Sequence, residues 1–271
     1  MKMKKFIAAA VTTLIASTSM SFAAPVQNET INQVALLQSL ALGHFEGSIT
    51  VGELKKLGDT GIGTFDGLNG EMIVLDGVVY RANAECKVNI VDDKETVPFS
   101  NVTFFDKDFA VKVNSVSTKS EFEKILNKTV AKEGENSFYM VKLNANFDEI
   151  LVRSEYGQEK PYKTLVKALE KDQRESTYKN IDGTIVGLYC PTFMNGLNSP
   201  GWHFHFISSD KKFGGHVLEL KVNKGEVQLD KTDNFAMNLP DKKNFQTLDF
   251  NQDLREDIKK AENDNKEQLN K

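Results

Sequence analysis

Apolar and polar positions change rhythm several times along this chain, and each rhythm predicts a different element. In "INQVALLQSLALGHF" apolar residues fall at 31, 34, 37 and 41 and again at 36 and 40, the spacing of a broad helix face capped from Asn28 or Thr30. Thr50-Val-Gly-Glu53 has the Ser/Thr-x-x-Glu spacing of a capping box and predicts a short helix to Leu57. Thr118-Lys-Ser-Glu121 predicts a second helix, through "EFEKILNKTV". From Gly61 the texture turns to short strands separated by Asp66-Gly67, Asn69-Gly70 and Asp76-Gly77, which are hairpin-type punctuation. "SFYMVKLNANF" alternates as a strand with "EILVRS" close behind, and Pro161 is placed in the first turn of a helix over "YKTLVKALEKD". Strand patterns return in "DGTIVGLYCP", "WHFHFIS", "GGHVLELKV" and "EVQLDK", and Leu254, Ile258 and Ala261 give "NQDLREDIKKAEN" helical spacing.

The sum is an α+β, strand-rich chain with two sheet-based subdomains and a metal site between or beside them. An N-terminal mixed sheet is expected over 31–160 and a C-terminal β-rich, metal-binding unit over 161–263. A polar leader over 24–30 and a solvated tail over 264–271 flank them.

The first residues alter that picture. "MKMKKFIAAAVTTLIASTSMSFAAP" has a lysine-rich start, an apolar core and small residues before Pro25, the pattern of a secretory signal over 1–23 cleaved near Ala23. Its apolar part falls short of the run of about 20 residues that a membrane span needs. An exported protein with no membrane attachment after cleavage is therefore expected. Losing Lys2, Lys4 and Lys5 takes the formal charge from −4 to −7, and with lysines evenly scattered this argues against a nucleic-acid partner. Cys86 and Cys190 fit no metal spacing and are compatible with either a disulfide or two buried thiols.

The candidate chemistry is concentrated in histidine. Of four histidines, three lie within fourteen residues, in "GWHFHF" and "GGHVLEL". On a strand His203 and His205 share one face while Trp202, Phe204 and Phe206 share the other, so the aromatics pack and the imidazoles face a cavity. The turn residues of "SSDKKFGG" let the next strand fold back and bring His216 opposite them, and Gly214 and Gly215 permit close backbone approach. Three neutral imidazoles suit a divalent first-row ion, Zn²⁺ being the commonest choice, with a position left open for substrate. His44, alone near the end of an apolar stretch, reads as structural.

"GIGTFDGLNGEMIVLDGVVYR", "ILVRS", "EKPYKTLV", "DGTIVGLYCP", "PGWHFHFIS" and "GGHVLEL", in this order and spacing, resemble the α-acetolactate decarboxylases over about residues 31–263. The resemblance implies metal ligands at His203, His205 and His216, and catalytic residues at Glu71, Arg153 and Glu262, with Glu256 and Glu267 as rivals to the last. Thr64 of "GTF" is implied in the pocket lining. By themselves Glu71 reads as a solvated acid after a turn, Arg153 as an ion-pair partner of Glu149 or Glu155, and Glu262 as a helix-surface acid.

The activity implied is decarboxylation of 2-acetolactate to (R)-acetoin and CO₂ in acetoin biosynthesis. A metal gripping the ketone and hydroxyl oxygens would hold the enediolate that forms, so no organic cofactor is needed. Arg153 would orient the substrate, and one of Arg153, Glu71 and Glu262 would protonate one face. The resemblance also implies a homodimer. Two other classes share the histidine pattern: an exported metalloenzyme of other chemistry, cupin-like or a hydratase, and a metal-binding protein without catalysis.

Overall fold

The computed structural model describes residues 29–263. The expected signal segment 1–23 and tail 264–271 lie outside those residues. The strands are β1 (Thr30–Val34), β2 (Ile49–Thr50), β3 (Thr60–Thr64), β4 (Glu71–Leu75), β5 (Val78–Ala82), β6 (Val88–Ile90) and β7 (Thr96–Val97). They continue as β8 (Phe99–Thr103), β9 (Phe109–Val116), β10 (Phe138–Glu155), β11 (Gln173–Cys190), β12 (Gly201–Ser208), β13 (Gly214–Thr232) and β14 (Asn234–Asn238). The helices are α1 (Leu37–Ala41), α2 (Val51–Leu54), α3 (Lys119–Glu133), α4 (Leu165–Asp172) and α5 (Arg255–Asn263). One sheet has the order β14-β1-β8-β3-β4-β5-β6, a second has β10-β11-β12-β13-β9, and β2 pairs with β7. Because β10 also pairs with β13, the second sheet closes on itself through β10, β11, β12 and β13.

β12 sits in that closed sheet as its alternation predicts. Trp202, Phe204 and Phe206 point into the main apolar core, where Phe122 of α3 meets Phe204 with ring centroids 5.3 Å apart. Trp202 Nε1 donates to Asn127 Oδ1 at 2.7 Å, which satisfies its polar edge. A one-residue slip would turn both phenylalanines out and both histidines in, forfeiting about 3–6 kcal/mol of burial for the phenylalanines alone. The apolar face therefore fixes where the imidazoles point.

Several local expectations hold. Thr50 and Glu53 form the reciprocal capping box, although α2 ends at Leu54 and not Leu57. Thr118 caps α3 by accepting from Glu121 N. The strand and helix patterns from "SFYMVKLNANF" onward appear, with "EILVRS" continuing β10 and "EVQLDK" continuing β13. Cys86 and Cys190 are buried free thiols.

Three expectations are corrected. The stripe from Ile31 is strand β1 followed by the five-residue α1, because β1 is clamped between parallel β14 and antiparallel β8 and buried on both faces. Apolar residues needed on two sides satisfy helical and strand spacing alike. Pro161 precedes α4, whose N-cap is Thr164. Sheet membership also cuts across a division at 160: β9 and β10 lie before it yet pair with β11 and β13, and β14 lies after it yet pairs with β1.

Candidate metal centre and active site

Where the two sheets meet, β3, β4 and β8 face β10, β12 and β13 across a cavity that α1, α4 and α5 also line. His203, His216, Glu71, Thr64, Arg153, Glu155 and Glu262 line it, with an apolar wall that includes Leu37, Leu40, Phe99, Leu165 and Leu169. The fold thus brings Thr64, Glu71, Arg153, His203, His216 and Glu262 to this place, with His205 clustered against the other two histidines, whereas Glu256 lines a different cleft. His44 is elsewhere, buried with its ring edge-on to Phe245, in keeping with a structural part.

His205 pairs directly with His216 across β12 and β13. Gly215 (φ +152°) permits the approach of β13 to β10, since a Cβ there would lie 2.5 Å from Arg153 O. The three ring centroids end 4.7 to 5.5 Å apart. His203 Nε2 is 3.0 Å from His205 Nε2 and 2.9 Å from His216 Nδ1. Tetrahedral ligands at zinc–nitrogen bond length stand about 3.3 Å apart, so small rotations suffice to seat an ion.

The outward nitrogens agree with that role. His205 Nδ1 donates to Met72 O at 2.7 Å and His216 Nε2 to Glu262 O at 2.9 Å, which assigns their tautomers and leaves the inward nitrogens as lone pairs. His203 Nδ1 lies 3.1 Å from Glu262 Oε2. Burial holds the His203 imidazole down at about 3, and it pushes His205 and His216 well below the usual histidine range. All three rings are therefore neutral near pH 7, the form that binds a metal. Three converging lone pairs, two of them fixed from behind by backbone carbonyls and the third on a ring beside the Glu262 carboxyl, are the donor set of a divalent cation.

The acids around this point are unusual for being buried. Glu71 Oε2 is 3.4 Å from His205 Nε2, and burial, reinforced by Glu155, raises its carboxyl well above the ordinary range while Arg153 opposes the rise. Burial also raises Glu262, against Arg153 and Lys119. Thr64 does not point a free hydroxyl at the cavity: it donates to Gly70 O at 2.9 Å and so fixes the turn that presents Glu71.

Arg153 is not the ion-pair partner of Glu149 or Glu155. Glu149 pairs with Lys179 and Lys221 at the surface, whereas Arg153 is buried and donates through Nη1 to the neutral Gln173 Oε1 at 3.0 Å. Its Nε has no hydrogen-bond partner among the described residues. A cation whose neighbour is an amide keeps its charge available for an anion. Sequence reasoning missed Glu155 as a cavity component and Gln173 as the partner of Arg153. The alternation of β10 carried a signal for Glu155, which stands two residues beyond Arg153 on the same face.

The family model for alpha-acetolactate decarboxylase matches residues 31–252. A Methanosarcina mazei alpha-acetolactate decarboxylase is 39% identical over 235 residues, covering 87% of this chain and 81% of the relative. The Brevibacillus brevis protein of that name is 32% identical over 242 residues, 89% of this chain and 84% of its own. The crystal structure of alpha-acetolactate decarboxylase from Bacillus subtilis strain 168 superposes with a TM-score of 0.83 at 33% identity, over 87% of this chain and 100% of that one. A Staphylococcus aureus protein described as similar to alpha-acetolactate decarboxylase gives 0.81 at 30% identity, over 86% and 100%. Matched along most of its length in both sequence and backbone, the chain belongs to the alpha-acetolactate decarboxylase family.

Proposed function

We propose that the protein is an acetolactate decarboxylase that converts 2-acetolactate to (R)-acetoin and CO₂ with a divalent metal, Zn²⁺, held by His203, His205 and His216. The observation that carries the reading is one cavity in which three neutral imidazoles converge beside a buried arginine that is hydrogen-bonded to an amide and forms no close ion pair among the described residues. A bound ion would supply fixed positive charge for the oxygens that become electron-rich as CO₂ departs.

The protein's own groups divide the remaining work. Arg153 pairs in register with His216, so its donor fork stands beside the histidines and can hold the substrate's carboxylate away from them. That placement matters because binding the carboxylate where the new charge develops would stabilise the ground state instead of the transition state. When the bond to CO₂ breaks, its electron pair passes toward the ketone oxygen, and a proton must then reach the carbon that lost CO₂. Glu71 and Glu262, both shifted by burial toward their protonated forms, flank the histidines on different sides. Delivery from one of them alone gives a single configuration of acetoin. The leucine and Phe99 wall accepts the methyl groups and excludes water.

The lysine-rich opening and small-residue junction support export with cleavage near Ala23, and the resemblance supports a homodimer whose partner molecule is the small acid substrate, not nucleic acid. Replacing each histidine by alanine tests the reading. Each variant is expected to lose tight metal binding together with acetoin formation, and retention of both in the His203→Ala protein would refute the ligand set. Metal binding by the wild type without acetoin above the spontaneous rate would favour a metalloenzyme of other chemistry.

A further inference from the structure

Glu155 ends β10 two residues after Arg153 and lines the same cavity. Its residue is 1% exposed, and its carboxyl has no close hydrogen-bond partner among the described residues, the Glu71 carboxyl being a looser neighbour that donates toward one of its oxygens. Nearly every buried polar group in a folded protein holds another one, so a carboxyl that lines a cavity without a close partner is available to what enters it.

Its nearest cation does not claim it. Gln173 is paired directly across from Glu155 on β11, takes Arg153 Nη1 at 3.0 Å and passes its own Nε2 hydrogen to Glu175 Oε1 at 3.0 Å. The amide occupies the place where an arginine–glutamate pair would close. A fully buried carboxylate with no counter-ion bonded to it costs several kcal/mol, so the acid is held toward its neutral form, leaving its second oxygen to carry the O–H. In agreement, burial pushes the Glu155 carboxyl up to about 7, with Arg153 and the hydrogen bond from Glu71 opposing and Glu262 adding to the rise. A neutral carboxyl carries one O–H donor, and Arg153 beside it marks where an anionic group would rest.

Position along the strands says which end of the substrate is near. Arg153 is opposite His216 and His216 opposite His205, whereas Glu155 lies one step further along β10, in the direction of Gly214 and away from His203. A substrate lying between the histidines and Arg153 therefore meets Glu155 with its carboxylate end.

We propose that Glu155 is a substrate-binding residue whose carboxyl donates a hydrogen bond to the substrate's carboxylate alongside Arg153, selecting small 2-hydroxy-3-oxo monocarboxylates. The proposal rests on reading the cavity as the acetolactate site. Because this contact is made to the ground-state anion and fades as CO₂ leaves, it acts on binding more than on turnover.

Glu155→Leu and Glu155→Gln in the metal-loaded protein test it. Leucine has no donor, and KM is expected to rise about 10–100-fold, the worth of a hydrogen bond to a charged group, with kcat held within about threefold. Glutamine keeps an N–H in the same place and is expected to hold KM within about threefold of wild type. Calorimetry with 2-hydroxy-2-methylbutanoate and with 2,3-butanediol separates the partner group: the leucine variant should weaken the carboxylate probe and leave the diol unchanged. An unchanged KM in Glu155→Leu overturns the proposal, as does a loss in Glu155→Gln equal to that in Glu155→Leu, or weakening of the diol as well. Should the leucine variant fail to fold, Glu155→Ala with the same two probes decides in its place: weakening of the carboxylate probe alone supports the proposal, and unchanged affinity or weakening of both overturns it, as does a glutamine variant with KM well below wild type. If wild type formed no acetoin, the functional reading would fail separately, while the carboxylate probe would still report on Glu155.

Discussion

Gly215→Ala asks whether the closeness of β10 and β13 is what sets the histidine geometry. Gly215 has φ +152°, and a methyl at its Cβ would stand 2.5 Å from Arg153 O and 3.2 Å from Val152 Cβ. Those are backbone and core atoms of β10, which cannot rotate out of the way as a side-chain tip could. Reaching an ordinary contact of 3.4 Å requires a separation of about 0.9 Å between the strands. His216 is the next residue and faces Arg153 across the same step, so the displacement falls on a metal ligand and on the arginine together. Strain of a non-glycine residue in this region adds about 1–3 kcal/mol, and in a chain of this size each kcal/mol lowers Tm by about 2–4 °C. A misplacement near 1 Å in a positioned site costs about 100-fold in rate. The expected outcome is a Tm lower by several degrees, weaker metal binding in a chelator competition, and acetoin formation reduced about 100-fold even with metal in excess. Wild-type Tm with wild-type activity would refute the reasoning, since the two strands would then not need this approach.

Two further perturbations address the acids. Glu262→Ala removes the carboxylate behind His203 Nδ1 while leaving the backbone carbonyl that holds His216, so metal affinity should fall about 10–100-fold and not vanish; equal affinity in a competition titration would dismiss that support. Glu155→Gln should gain stability relative to wild type as pH rises. A carboxyl with its folded value raised to about 7 from 4.5 binds more protons folded than unfolded across that window, so wild type loses stability from pH 4.5 to 7 and the amide does not. The difference should grow to at most about 3 kcal/mol by pH 8, and denaturant midpoints that stay parallel across this range would contradict it.

What the chain disclosed beforehand was mostly local. Two histidines separated by one aromatic residue, with glycines leading the third, fix face and turn through strand alternation alone, and that is why the triad was readable. β1 was misread because the evidence for a strand is its partners β8 and β14, the latter lying near the other end of the described chain. Glu262 looked like a surface acid because nothing in "KKAEN" records that α5 packs over the cavity against α1 and α4. Arg153 looked like half of a surface pair because Gln173, its real partner, sits across a strand boundary whose register depends on the whole of β10 and β11. Thr64 was placed rightly in the cavity lining, but its hydroxyl is spent on the Gly70 carbonyl, a contact that follows from the turn geometry and not from composition.

The most direct test is chirally resolved product analysis on one preparation, with metal removed by a chelator and then restored. Racemic 2-acetolactate should yield (R)-acetoin and CO₂ only in the metal-loaded protein, should fall to the spontaneous racemic background when the metal is stripped, and should recover on adding Zn²⁺. Full stereoselective activity in the metal-free protein, or restored metal without restored (R)-acetoin, would contradict the account.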